Sequence, residues 1–331
     1  AAYEAALKEM RRRRNLENRL DAERRAACGA ANPWGGGEGG GFEVWRQYLE
    51  LEGTRDPWRT RCLYERMLAP ANKELCHQPR LWMRYLLFLR DTLRAADLVA
   101  HATRRAVRFC PTSLCLRVER LRALEWSGGS PAQLKEEFEA SLGAPLDHRD
   151  DEPAGDSAED HAMVAATGCG AAGGFAAYLR LLYVYSEYQR RRAIASPELS
   201  ADDLLSIRAA RDAVLAYRAA YLQEVDWDGG LPRLWAATEA RALRSIAEAR
   251  QVMEPVLQQA GGYSSRGWLH AAALEHECGH ADRCRGLFKR AVGVVSEPLE
   301  AAAVGAAWVD FEAQHGSLAQ LQAAELRVAA R

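Results

Sequence analysis

The first informative features of this sequence are its absences. No stretch approaches 18 uncharged apolar residues and no signal peptide is visible, so the chain is expected to be soluble, not secreted and without a membrane partner. Charge of one sign is missing as well: 44 Lys and Arg stand against 45 Asp and Glu, a formal net charge of −1. That balance removes the broad electrostatic footprint of a general nucleic-acid binder. Only two local basic runs remain as candidates for RNA contact or nuclear-import recognition, Arg11, Arg12, Arg13 and Arg14, and Arg190, Arg191 and Arg192. Each run also reads as a solvated helix face.

Signatures of catalysis are absent too. There is no G-x4-G-K phosphate loop and no G-x-S-x-G elbow, and the glycine run from Gly35 to Gly41 has neither a strand before it nor Lys-Ser after it. The eight cysteines, at positions 28, 62, 76, 110, 115, 169, 278 and 284, form no framework and are expected as buried reduced thiols. His276, Cys278, His280 and Cys284 fall close together, but no second Cys pair sits at the distance a structural zinc site requires. The segment reads as a turn, with no metal and no cofactor expected. His148, His161, His270 and His315 lack any partner identifiable in the sequence. No catalytic residue is assigned, and the chain is expected not to be an enzyme.

What is present is helix. Aromatics, Leu and Ala dominate the apolar positions, β-branched runs are scarce, and prolines cluster near helix ends, so the fold class expected is all-α. Trp45, Tyr48 and Glu52 form a W-x2-Y-x3-E pattern, which places all three along one stripe of a helix. Partial copies recur. Trp82 and Tyr85 follow 37 residues later, with Leu89 in the acid slot; register alone puts a third copy at Arg117, Arg120 and Leu124. Phe175 with Tyr178, Trp235 with Thr238, Trp268 with Ala271 and Glu275, and Gly305 with Trp308 and Glu312 complete the series. Such self-similarity is the signature of stacked helical hairpins, an α-α superhelix or solenoid. Between the aromatic helices lie second helices with their own pattern: Arg61, Tyr64, Glu65, Arg66 and Leu68 before Pro70, then Arg105 before Pro111, then Phe288 and Arg290 before Pro298. Because a glutamate on the buried stripe requires a partner, Arg66 is expected to meet Glu52, and Arg290 to meet Glu275, within each hairpin.

Together the two patterns resemble the half-a-TPR (HAT) repeat of RNA-processing proteins. The stretches Tyr64 to Leu68, Leu81 to Tyr85 and Ala106 to Pro111 are similar, within that family, to the U4/U6 snRNP recycling factors. The resemblance runs from about Phe42 to Leu318, weakens between Gly143 and Gly174, and departs from the aromatic pattern at Arg117. It implies a nuclear, non-enzymatic scaffold in pre-mRNA splicing. The partners implied are spliceosomal snRNP proteins, a ubiquitin-specific protease, U6 and U4 snRNA indirectly, and a second copy bound through the C-terminal repeats. A HAT scaffold of the pre-mRNA 3′-end cleavage machinery and a direct RNA-binding module are the alternative readings.

Along the chain, residues 1–29 are expected to be the last helix of a preceding repeat, since Tyr3, Leu7, Met10, Leu16 and Leu20 supply its apolar positions. The chain lacks an initial Met and is expected to be an excised domain. N-terminal repeats occupy 42–142, and an acidic, glycine-rich flexible loop 143–174. A long-helix repeat and possible hinge spans 175–225, and C-terminal repeats fill 231–331. Partner binding should use residues that the hairpin core does not require. Trp58, Trp126 and Trp227 fall outside the aromatic slots and are candidate anchors.

Overall fold

A computed structural model describes residues 2–29, 40–53, 56–143, 174–196, 198–259 and 264–330. Every regular element among the described residues is a helix, and none of these helices is long and apolar enough to cross a membrane. The acidic segment and the Asn32 to Gly41 connection lie largely outside the described residues. The chain divides into two compact units, Ala1–Gly174 and Phe175–Arg331.

The first unit contains α1 (Ala2–Gly29), α2 (Gly40–Gly53), α3 (Pro57–Met67), a short α4 (Lys73–Cys76), α5 (Pro79–Phe88), α6 (Ala96–Phe109), α7 (Leu114–Trp126) and α8 (Pro131–Leu142). Successive helices pack side by side as hairpins, α2 on α3, α5 on α6 and α7 on α8. Local chemistry sets the helix starts. Asp56 accepts from the backbone N–H groups of Trp58 and Arg59 ahead of Pro57, and Ser130 with Gln133 closes a capping box around Pro131. Pro111 ends α6 from an exposed position. Its contribution is a helix stop and not a core contact, because its ring prevents the preceding turn from continuing.

The second unit contains α9 (Gly174–Ala195), α10 (Ala201–Tyr221), α11 (Gly230–Ala237), α12 (Ile246–Gln259), α13 (Arg266–Glu277), α14 (Ala281–Val294), α15 (Pro298–His315) and α16 (Leu318–Ala329). Here α11 packs on α12, α13 on α14, and α15 on α16. A π-helical turn extends the first helix of one hairpin in each unit, Leu89–Leu93 after α5 and Thr238–Ala242 after α11. Each is followed by a left-handed arginine, Arg94 at φ 51° and Arg244 at φ 53°. Outside glycine that conformation is uncommon, and the second-helix pattern resumes immediately after it in both units.

Burial gives the true register of the repeats. The triads Trp45-Tyr48-Glu52 and Trp82-Tyr85-Leu89 are buried as expected, as are Trp268-Ala271-Glu275 and Gly305-Trp308-Glu312. Three frames move. In α7 the buried triad is Leu116-Glu119-Ala123, one residue before the expected Arg117-Arg120-Leu124. With no aromatic to mark it, that frame had only spacing to fix it. In α9, Phe175 is 56 % exposed on the first turn, and Leu182-Tyr185-Gln189, two turns further along, is buried beside the equally buried Leu181-Val184-Tyr188. Tyr178 is buried against Tyr217 and does not mark the slot. In α11 the triad is Pro232-Trp235-Glu239, so Trp235 occupies the tyrosine slot, as Trp308 does. The step from this frame to Trp268 is then 36 residues instead of 33, close to the 37 between Trp45 and Trp82. At residue 305 the first slot is glycine for a steric reason, since a Cβ there would stand 2.7 Å from Val328 Cγ1 on α16.

Candidate protein-docking surface

The arginines of the second helices hold the hairpins together, but in a different register from the expected one. Glu52 receives Arg13 of α1, with Nη2 3.1 Å from Oε2, and Glu275 receives Arg250 of α12 at 2.6 and 2.7 Å. Glu239 receives Arg211 of α10 at 2.6 Å, and Glu312 receives Arg285 of α14 at 3.1 Å. In each case the acid reaches back to the second helix of the preceding hairpin. Arg66 and Arg290 are not its partners.

Those two arginines do other work. Arg66 lies over the ring of Trp45 at 5.6 Å, Arg105 over Trp82 at 5.4 Å, and Arg290 over Trp268 at 5.2 Å, so the contact inside each hairpin is cation–π. The same guanidinium groups donate to a glutamate one hairpin earlier: Arg66 to Glu17 at 2.8 and 2.9 Å, Arg105 to Glu65, and Arg290 to Glu254 at 3.5 Å. Glu17, Glu65 and Glu254 each stand four residues after Arg13, Arg61 and Arg250, so one helical face displays both charges. The bond from Arg66 holds Glu17 below the usual carboxylate range. Burial pushes Glu65 up, but the bonds from Tyr85 and Arg105 outweigh it and lower its pKa. Where the acid slot holds Leu89, the corresponding Arg61 has a buried Nε without a hydrogen-bond partner and lies over Trp58 at 5.7 Å.

The tyrosine slot is the second component of each junction. Tyr85 donates to Glu65 at 2.6 Å and stacks on Tyr64 with ring centroids 5.0 Å apart, while Phe88 packs on Tyr64 at 5.5 Å. In the Trp268 repeat the equivalent residues are Met253, Ala271 and Leu274. A cavity of about 390 Å³ opens there, bounded by α12, α13 and α14, and its charged lining runs from the less exposed Arg250 and Glu275 to the more exposed Glu254 and Arg290, with Asp282 and Arg283 beside them. A space of that size is within the range of small-molecule and side-chain receptacles.

The three expected anchors are all solvent-facing: Trp58 is 58 %, Trp126 45 % and Trp227 64 % exposed. Trp227 sits on a braced turn. Asp226, buried beneath it, accepts from Arg218 Nε at 2.9 Å and from the N–H of Gly230 at 2.8 Å, and burial raises the Asp226 pKa against the opposing pull of Arg218.

The basic runs do not survive as uniform patches. Arg13 is committed to Glu52, whereas Arg11, Arg12 and Arg14 are exposed. Arg192 donates to Asp203 of α10, Arg191 lies 3.9 Å from Glu187, and Arg190 is half-buried, so only part of that run faces water. The His and Cys group is divided by the end of α13, where Gly279 at φ 80° turns the chain and its N–H bonds to the His276 carbonyl. Cys284 is buried, which pushes its thiol up to about 11, while His276 packs on His315 and Phe311. Among the described residues, no three His, Cys, Asp or Glu side chains gather as a metal site.

Comparison with known proteins places relatives along most of the chain. A Danio rerio protein, spliceosome associated factor 3, U4/U6 recycling protein, is 30% identical over 286 residues, covering 85% of this chain and 27% of the relative. Homo sapiens and Mus musculus proteins of the same name are 27% identical over 259 residues, covering 76% of the chain and 24% of each relative. These relatives are U4/U6 recycling proteins. The chain spans about a quarter of their length. No family model matches it.

The sequence reading missed Glu17, Glu254, Arg211, Arg250 and Arg285, the residues that form the junctions. For Glu17, Glu254 and Arg250 the signal was present as Arg and Glu four apart on a second helix, as at Arg61 and Glu65; Arg211 and Arg285, followed four residues on by Leu215 and Lys289, carried no such mark. The Ala271 cavity was legible only as a missing aromatic.

Proposed function

We propose that this chain is a HAT-repeat scaffold in pre-mRNA splicing, acting through protein partners in the assembly and recycling of U4/U6 snRNPs. The observation that carries the reading is the match to U4/U6 recycling proteins over 85% of the chain. The repeat geometry supports it, because stacked hairpins expose ridges and grooves suited to extended or helical partners. The scaffold is nuclear and non-enzymatic. It holds particles close together, raising the local concentration of one near the other. Its partners are snRNP proteins, a ubiquitin-specific protease and a second copy held through the C-terminal repeats, and U4 and U6 snRNA are reached indirectly.

The test is a pull-down from nuclear extract with the tagged chain, followed by hybridisation for U4 and U6 RNA and protein identification. Enrichment of both RNAs, lost after treatment that strips snRNP proteins, is the expected result. Capture of 3′-end cleavage factors without U6 would replace the reading with the alternative HAT scaffold. Direct binding of purified RNA at low salt would favour an RNA-binding module instead.

A further inference from the structure

We propose that the cavity at Ala271 is a receptacle for a tyrosine side chain presented by a protein partner. The template lies within the molecule. In the first unit, Tyr85 fills the slot between α3 and α6, stacks on Tyr64 and donates its hydroxyl to Glu65, which also accepts from Arg105. Tyr48 is hydrogen-bonded in the same way to Glu17, the acceptor of Arg66.

Around Ala271 the polar half of this arrangement is intact. Glu254 stands where Glu65 does, Arg290 donates to it as Arg105 does to Glu65, and Arg290 covers Trp268 as Arg105 covers Trp82. The ring and hydroxyl of the central slot are missing, and so are the two rings beside it. Met253 replaces Tyr64, Leu274 replaces Phe88, and Gly286 stands where His101 does, so smaller side chains border the vacated space. Gly286 leaves the outer wall low, because a Cβ there would meet nothing within 4 Å. A space walled by Ala249, Met253, Ala271 and Leu274 and bordered by charged side chains, Glu254 and Arg290 among them with Asp282 and Arg283, suits a flat ring bearing one hydrogen-bond donor. Tyrosine meets both requirements, whereas phenylalanine meets only the first.

This inference deepens the scaffold reading by naming the group a partner offers. Its test uses no nuclear component, so either idea can fail alone. p-Cresol, the tyrosine side chain alone, is titrated into the full chain carrying labelled methyl groups, with toluene as the control. Saturable shifts of the Met253, Ala271 and Leu274 methyls are expected, with a dissociation constant on the order of 1 mM. Toluene should bind roughly tenfold more weakly, the worth of a hydrogen bond to a charged acceptor. Glu254→Ala should bring the two ligands to parity. Ala271→Tyr, which places the chain's own ring in the slot, should abolish both sets of shifts, and Gly286→Phe provides a second block from the open side should the first variant fold poorly. Shifts that persist in the blocked variant, equal affinity for toluene and cresol in the unaltered chain, or no saturable shift at those methyls would each overturn the proposal.

Discussion

The junction at Tyr85 and the junction at Ala271 share their charged framework and differ in what fills the space beneath it. The first is packed with Tyr64, Tyr85 and Phe88, but Leu89 has replaced its acid. The second keeps the acid, Glu275, bound by both nitrogens of an Arg250 fork, and has lost all three rings. Each junction has therefore dropped one of two components and retained the other. Aromatic fill and ion pairing are separable: the rings supply buried area, and the arginine–glutamate contacts fix which residues of consecutive hairpins face each other.

Removing a ring from the filled junction should have the largest effect. Trp82 is fully buried, donates to the Cys76 carbonyl at 2.8 Å and lies beneath Arg105. Trp82→Ala should cost about 3 to 5 kcal/mol in urea unfolding. Trp268→Ala should cost roughly 1 kcal/mol less, because the Trp268 indole N–H is buried without a partner. Equal losses would show that the hydrogen bond contributes nothing to the difference. Removing an acid comes next. Glu239 is fully buried between Arg211 and Arg208, and Glu239→Ala should cost about 2 to 3 kcal/mol by removing the buried carboxylate both guanidinium groups share, although Arg211 keeps Asp212 and Glu248. Glu275→Ala should cost roughly half as much, since Arg250 is 29% exposed and water can replace the carboxylate. Thermal unfolding monitored by circular dichroism checks that order.

The same separation explains what could be read in advance. Helix class and hairpin repetition were legible because tryptophan is rare, and two W-x2-Y pairs 37 residues apart, at Trp45 and Trp82, carry their own register. Where the slot residue was not aromatic, as at Leu116 and Leu182, nothing in the local sequence distinguished the buried stripe from its neighbour, and the frame was placed one residue or two turns away. At Trp235 the opposite error arose: a strong residue was assigned to the first slot when it stood in the second. The ion pairs were misassigned because Glu52 and Arg66 share a hairpin, and proximity in sequence suggested a contact, whereas Glu52 is taken by Arg13 and Arg66 by Glu17. An empty slot is harder to see than a filled one, so the Ala271 cavity emerged only from the packed structure.

Titration should sharpen the comparison further. Burial, with the hydrogen bond to Glu17 second, pushes the Tyr48 hydroxyl up to about 12 from 10.0. A folded pKa above the unfolded one means stability that is complete below pH 10.0 and is lost as pH rises toward about 12. At the other end, the Arg66 bond lowers the Glu17 pKa, so its stabilisation is present above 4.5 and is lost as pH falls below that value. Tyr48→Phe should remove part of the alkaline loss and, by taking one hydrogen bond from Glu17, a smaller part of the acid loss that Arg66 chiefly sets. The Ala271 junction has no such hydroxyl, so Ala271→Tyr should add a tyrosine's alkaline loss to the one the buried Cys284 thiol already gives. Alkaline melts of the two variants measure both.

The smallest effect is expected from the exposed rungs. A double-mutant cycle on Glu17 and Arg66, each changed to Ala, should give a coupling of about 0.5 kcal/mol, reduced further by added salt, because both side chains are at least a third exposed. The Glu254 and Arg290 pair, at 3.5 Å and more exposed, should couple less. A larger coupling at the second pair would reverse the ranking and imply that the open cavity strengthens its own rim. Weak coupling does not make these rungs idle. Slipping the second hairpin one turn toward the N terminus of α1 would bring Arg66 from Glu17 to Arg13, like charge against like. The rung then acts through the alternative it disfavours, fixing register at little cost to the stability of the correct one.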